Sequence, residues 1–307
     1  MYTLAHLSDI HLGGLGIPRP GALFSKRILG LLSWHLRRKA VHRGSVLAAL
    51  VADLHQSHPD HTAITGDLVN ISLPEEFRRA AAWLATLGRP ADVSVIPGNH
   101  DAYVAIPWDR SLALWDSYMS GDSHERAADD GDAGAHFPYL RRRGPLALIG
   151  LSTAVPMPPH MAAGRLGAAQ LQRLEALLAA TKAAGVCRTV LIHHPPTSSH
   201  AYRHKQLLDG EAFAEVLARQ GAELVLHGHT HMSGLSYLKT PEGRVPVVGV
   251  PSASARPTRS RDHSRYHLYR IAPAGNGWRI EVEVRGLAPS LDRFQAETGF
   301  SLSIPAS

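Results

Sequence analysis

Five short stretches of this chain end in side chains that bind metal ions. Asp9 and His11 stand two apart in SDIH, Asp67 ends TGD, and Asn99, His100 and Asp101 close PGNHD. His193 and His194 open HHPP, and His227, His229 and His231 alternate through HGHTH. Carboxylate and amide oxygens mixed with imidazole nitrogens, with no thiolate beside them, form a donor set for first-row metal ions. Taken singly, each is an ordinary polar group at a strand end; five such endings in one chain are hard to assign to chance. If strand geometry runs on past Ser8, Asp9 and His11 project to the same side. Gly66, Gly98 and Gly228 stand beside these residues, where the backbone must turn sharply or approach closely. Spacing alone leaves open which two of His227, His229 and His231 bind metal.

The elements that must position these groups are short apolar strands at 3–8, 62–65, 93–96, 189–192 and 223–226. Helical periodicity lies between them at 44–56, 74–87, 107–119, 168–184 and 210–220. Strand and helix alternation predicts parallel α/β layers, in which ligands gather beyond the carboxyl ends of the strands. Further strands at 137–140, 147–151, 235–239, 245–250, 266–271 and 278–285 come in hairpin-like pairs and predict a second, more antiparallel sheet. The expected fold class is α/β: two mixed β-sheets packed as a sandwich flanked by helices. Residues 1–287 read as one domain with a basic amphipathic insertion at about 22–43, and 288–307 as a weakly patterned C-terminal tail.

At 307 residues and 44% hydrophobic content the chain can bury a large core. Cys187, the single cysteine, cannot form an internal disulfide and suits a reducing cytosol. With no charged-then-apolar leader and no apolar run approaching ~18 residues, a cytoplasmic protein is expected. The net charge of +6 comes from arginines spread along the chain and reads as a soluble surface. Of the 20 histidines, His55, His58, His61 and His263 lie in polar contexts and are expected to be solvated. The acidic, glycine-containing segment 121–134 reads as a surface loop.

The ordered set of endings resembles the calcineurin-like metallophosphoesterases, in particular their bacterial phosphodiesterase branch. That family's pattern is D-x-H, GD, GNH followed by an acid, H, and G-H-x-H. Here it reads Asp9-Ile10-His11, Gly66-Asp67, Gly98-Asn99-His100-Asp101, His193 and Gly228-His229-Thr230-His231, over more than two thirds of the chain. The resemblance implies an αββα fold and a dinuclear centre hydrolysing phosphate esters. One metal would take Asp9, His11, Asp67 and His231. The other would take Asp67, Asn99, His193 and His229, with Asp67 spanning ions ~3.5–4 Å apart. It thereby selects His229 and His231, leaves His227 ~6–7 Å behind them, and makes His194 a neighbour. The expected cofactors are two divalent or trivalent ions among Fe, Mn, Zn, Ni and Co, which such ligands do not distinguish.

Two divalent ions, the carboxylates Asp9 and Asp67 and a bridging hydroxide sum to about +1, which suits a mono-anionic phosphodiester. Coordination lowers the pKa of water to ~7, so attack by a metal-bound hydroxide is expected. His100 is expected to protonate the leaving alkoxide or stabilise the transition state, with Asp101 orienting its ring. Arg165, in AAGRL, is a further candidate for gripping the second ester group.

The expected partner is a small-molecule phosphate ester. HHPP and GNHD resemble members acting on cyclic nucleotides or glycerophosphodiesters, although Asn70 stands where cyclic-nucleotide members carry an acid or glutamine. A DNA nuclease is an alternative, but nucleic acid is disfavoured because no basic stretch is interleaved with aromatics. Another alternative is a lipid-linked pyrophosphate hydrolase at the membrane surface. A non-catalytic scaffold would be expected to have lost ligands. In the insertion, Phe24, Ile28, Leu31 and Leu32 fall on one helical face, bracketed by Lys26, Arg27, Arg37, Arg38 and Lys39. That face is expected to pack on the domain with the basic ends in solvent, the other reading being a helix that lies on an anionic membrane or grips a lipid-like substrate.

Overall fold

The computed structural model describes residues 1–15, 21, 25–122, 136–197, 204–257 and 262–305. Its first half contains β1 (Tyr2–Leu7), α1 (Arg27–Ser33), a π-turn at Trp34–Arg38, α2 (Lys39–Val41), α3 (Gly44–Ser57), β2 (His61–Ile64), α4 (Pro74–Leu87) and β3 (Val93–Val95). After α5 (Asp116–Met119) come β4 (Tyr139–Arg143), β5 (Leu146–Gly150), α6 (Ala168–Lys182), β6 (Cys187–Leu191), α7 (Gly210–Gln220) and β7 (Leu224–His227). The chain then runs through β8 (Gly234–Thr240), β9 (Gly243–Gly249), β10 (Arg265–Ala274), β11 (Gly277–Leu287) and β12 (Phe294–Pro305).

Strands covered on both faces need apolar side chains at odd and even positions alike. In the middle strands Leu148, Leu191 and Leu226 point into the core between the two sheets. Ile149, Val190 and Val225, one residue away, face α6 and α7 through Leu174, Leu178, Phe213 and Leu217. This double burial stacks the layers: helices, sheet, sheet, helices.

Both sheets have six strands and both are mixed, in the orders β12-β11-β10-β1-β2-β3 and β4-β5-β6-β7-β9-β8. Strands β1, β2 and β3 run parallel, as do β5, β6, β7 and β9. The antiparallel strands do not form a sheet of their own. They extend the edges of both parallel blocks, because a hairpin partner needs only a tight turn to join its predecessor's edge. Sequence patterning stops at Leu287, yet 294–305 form the edge strand β12 on β11. The helix expected at 107–119 is broken into 3-10 turns at Trp108–Arg110 and Leu112–Trp115 followed by α5. Ser111 leaves helical geometry there and donates its hydroxyl to the Pro107 carbonyl at 2.8 Å.

Buried polar groups tie the layers. The Arg141 guanidinium on β4 donates to the carbonyls of Pro90, Val93, Ser117 and Ser120. Arg188 on β6 pairs through two nitrogens with Glu223, just before β7, at 3.0 and 2.8 Å. His61 is buried, not solvated, with Nε2 2.8 Å from Ser94 Oγ. Most of the segment 121–134 lies outside the described residues; its Asp122 pairs with Arg143 at 2.7 Å. Among the described residues no helix is long and apolar enough to cross a membrane.

The insertion sits the other way round from expectation. Gly30 and Trp34 are its buried side, while Ile28 and Leu32 are 45% and 54% exposed. Phe24 and the side chain of Arg37 lie outside the description. Its basic groups turn inward: Arg27 donates to the carbonyls of Ile71 and Ser72, and Lys26 to that of Met157. Loop carbonyls around the strand ends need donors, and these long side chains supply them. Gly30 makes the approach feasible, since a Cβ there would collide with Ile71 and meet Tyr103 Oη at 3.0 Å.

Candidate metal centre

The carboxyl ends of β1, β2, β3, β6 and β7 deliver their following loops to one cleft between the sheets. Of the nine non-glycine residues with positive φ among the described residues, five are Asp9, His11, Asp67, His229 and His231. Such backbone is costly for residues with a Cβ and gathers where surrounding structure imposes it. This replaces the expected reason for the convergence of Asp9 and His11. Strand β1 ends at Leu7, and left-handed turns aim both side chains inward.

Ligand-type atoms of Asp9, His11 and Asp67 lie within 4.8 Å of one another; so do those of His11, His42 and His231, and of His193, His194 and His229. Oδ2 of Asp67 stands between the groups, 3.8 Å from His11 Nε2 and 3.4 Å from His193 Nε2. His231 Nε2 is 3.1 Å from Asp9 Oδ1 and 3.3 Å from His11 Nε2, and His193 Nε2 is 3.2 Å from Asn99 Oδ1. Bonds of ~2.0–2.2 Å put two ligands of one ion roughly 3 to 4 Å apart, depending on the angle between them, so these spacings fit metal ions. Buried Nε2 of His229 makes no hydrogen bond, which a polar atom at such depth tolerates poorly.

The surroundings choose which nitrogen faces inward. Nδ1 of His193 donates to the Thr65 carbonyl at 2.6 Å, and Nδ1 of His11 to that of Val69 at 3.3 Å, leaving Nε2 of each for the centre. Both nitrogens of His194 are engaged, with Thr153 Oγ1 at 2.6 Å and the Ala162 carbonyl at 3.1 Å. Nδ1 of His227 is 2.9 Å from its neighbour's carbonyl, and its ring fills the space a Gly249 Cβ would take. Gly228 lets this loop meet β1's: a Cβ there would collide with Ser8 Oγ and lie 2.5 Å from Asp9 Oδ2.

Burial opposes ionisation of Asp9 and Asp67, yet facing imidazoles prevail and hold both carboxyls below their ordinary range. Burial likewise disfavours a charged His193, but the carboxylates of Asp67 and Asp9 lift it to about 9. Burial, then His194 and His193, holds His229 well below its ordinary value, which keeps its lone pair available.

Asp101 does not orient His100. Its carboxylate accepts the backbone N–H groups of Asp67, Gly98, Leu68 and Val69 at 2.8 to 3.0 Å, clamping the two loops that carry Asp67 and Asn99. The His100 ring instead donates Nδ1–H to the Asn70 carbonyl at 2.5 Å, stacks on Tyr103, and meets Arg38. Arg165 is exposed and lines no cavity at the centre. Sequence reasoning missed His42 and undervalued Arg38, both from the insertion. The His42 ring lies 4.6 Å from that of His11, and its Nδ1 is 2.8 Å from Ser254 Oγ. No spacing signal marks either residue, because nothing local ties the insertion to the strand ends.

The profile of the calcineurin-like phosphoesterases matches residues 2–233. A probable cyclic nucleotide phosphodiesterase of Synechococcus sp. is 26% identical over 238 residues, 76% of this chain and 80% of that protein. A dimetal phosphatase from Danio rerio has a TM-score of 0.58 at 15% identity, covering 100% of this chain and 99% of its own. A purple acid phosphatase from yellow lupin seeds (Lupinus luteus) also reaches 0.58 at 13% identity, covering 99% of this chain and 54% of its own. At such identities the two structures speak for the fold, whereas the profile spans every strand-end motif described above. The chain therefore belongs to the calcineurin-like phosphoesterase family and is a metal-dependent phosphoric ester hydrolase.

Proposed function

We propose that the chain hydrolyses a small phosphodiester at a dinuclear centre. Asp9, His11, Asp67 and His231 would hold one ion, and Asp67, Asn99, His193 and His229 the other. The observation that carries this reading is the position of Asp67 Oδ2 between His11 and His193. When bound, the ions supply Lewis acidity and lower the pKa of water to ~7. Asp9 and Asp67, held ionised, set the charge of the centre so that a mono-anionic ester is attracted. The clamp by Asp101 keeps the Asp67 and Asn99 loops in register.

His100 Nε2 accepts from Arg38 Nη2 at 2.6 Å, so the pair presents guanidinium N–H groups toward the phosphoryl oxygens and the leaving group. A cavity of about 420 Å³ beside Asn99 and His100 is of small-molecule size, which supports a small ester over duplex DNA. The name of the Synechococcus relative supports a diester; Asn70, whose carbonyl rather than side chain serves His100, argues neither for nor against a cyclic nucleotide. The test is hydrolysis of bis(p-nitrophenyl) phosphate by protein loaded with Mn, alongside metal analysis. Two equivalents and activity abolished by a chelator are expected. One equivalent with full activity, or no hydrolysis of mono- or diesters across a pH series, would overturn the reading.

A further inference from the structure

The cavity beside Asn99 and His100 is walled on one side by the insertion, which contributes Lys26 and Arg38, and on the other by Lys205. Among the described residues no carboxylate lines it. Lys26 Nζ is fixed at the wall by the Met157 carbonyl at 2.6 Å and by the Tyr103 ring, whose centre is 4.5 Å away. With Arg38 engaged at the scissile ester, Lys26 and Lys205 exceed what a mono-anionic ester, already matched by the centre, requires.

The same cavity is lined by Leu29, Met157 and Met161. Leu29 is 40% exposed and belongs to a wider apolar face with Ile28, Leu32 and Leu36, the last 78% exposed. Positions three and four apart are neighbours on an α-helix surface, so Ile28 and Leu32 flank the cavity-lining Leu29 on α1, and exposed Leu36 follows on the π-turn. Their outward direction is set by packing, because Gly30 and Trp34 occupy the inward side. A contiguous apolar face beside a basic cavity marks a surface that something of matching character covers.

We propose that the site takes an anionic amphiphile. Its scissile phosphate ester meets the centre, and a second phosphate sits between Lys26 and Lys205. An alkyl or acyl chain leaves over Leu29 and lies along Ile28, Leu32 and Leu36. The inference rests on the dinuclear reading for its chemistry. Water's oxygen joins phosphorus, the bond from phosphorus to the leaving oxygen breaks, and water's protons end on the two products or the solvent.

The probes are ethyl phosphate, decyl phosphate and decyl diphosphate, titrated calorimetrically into the full chain below their micelle concentrations. The decyl ester is expected to bind at least about tenfold more tightly than the ethyl ester, since even partial burial of the longer chain gives that much. The second phosphate is expected to add at least about another tenfold through charge-assisted hydrogen bonds. Leu32→Ser with Leu36→Ser, both surface changes, should remove the chain-length gain and keep the diphosphate gain; Lys26→Gln with Lys205→Gln should do the reverse. Equal affinity for ethyl and decyl esters, or gains that survive both double variants, would overturn the proposal. Bis(p-nitrophenyl) phosphate turnover in the same samples separates the two readings. Turnover without a chain-length effect removes this inference alone, while the full binding pattern without turnover upholds the site and removes the hydrolytic reading.

Discussion

Nη2 of Arg38 lies 2.6 Å from Nε2 of His100. A guanidinium only donates, so that nitrogen is an acceptor and the ring proton sits on Nδ1, facing Asn70. Burial and then the Arg38 cation push the imidazole down to about 3, which agrees with a neutral ring. His100→Asn and Arg38→Gln are each expected to lower kcat/KM about 10²-fold, the scale of one lost transition-state donor. The double variant should be little worse than either, because the two act as a unit. A neutral ring has no spare proton for a poor leaving group, so aryl and alkyl diesters should suffer alike. A far larger defect on the alkyl ester would restore the general-acid role.

His229→Ala and His231→Ala are each expected to lose metal, whereas His227→Ala, whose ring packs on Gly249, should keep both equivalents and lose stability instead. Elemental analysis beside a melting curve reads both effects. A His227 variant short of one equivalent would reverse the assignment.

Glu223→Ala leaves Arg188 buried without its carboxylate. The cost should be roughly 3–5 kcal/mol, seen as a lower urea midpoint at unchanged m-value. An exposed pair such as Arg89 and Asp92 offers the control: Asp92→Ala should shift the midpoint by far less.

Asp53 on α3 accepts from Arg285 at 2.7 Å through both oxygens and from Tyr266. Burial pushes its carboxyl up, but the hydrogen bonds of Arg285 and Tyr266 outweigh burial and hold it below its ordinary value of 3.8. With the folded value depressed, its contribution to stability is complete above that ordinary value and is lost as pH falls through the folded one. Asp53→Asn should therefore lower the denaturation midpoint near neutrality and flatten its fall at acid pH. Parallel acid limbs for the two proteins would show that Asp53 is not a source of the pH dependence.

The sequence by itself determined eleven of the twelve described strands, four of the five helices it predicts and the strand-end residues that meet in the cleft. Each of those residues follows a short apolar strand directly, so chain connectivity alone carries it to the carboxyl end of a sheet. Local pattern could not determine what depends on contacts distant in the chain. The turns at Asp9 and His11 are left-handed rather than extended, and Asp101 clamps backbone rather than a ring. The placement of Arg38, Lys26 and His42 at the centre likewise follows from the docking of the insertion against Ile71 and Tyr103. An amphipathic pattern says that a helix has two faces, but the partner decides which face is covered. Here the partner is a ring of loop carbonyls that hydrogen-bonds cations, so the basic side went in and the leucines were left outside.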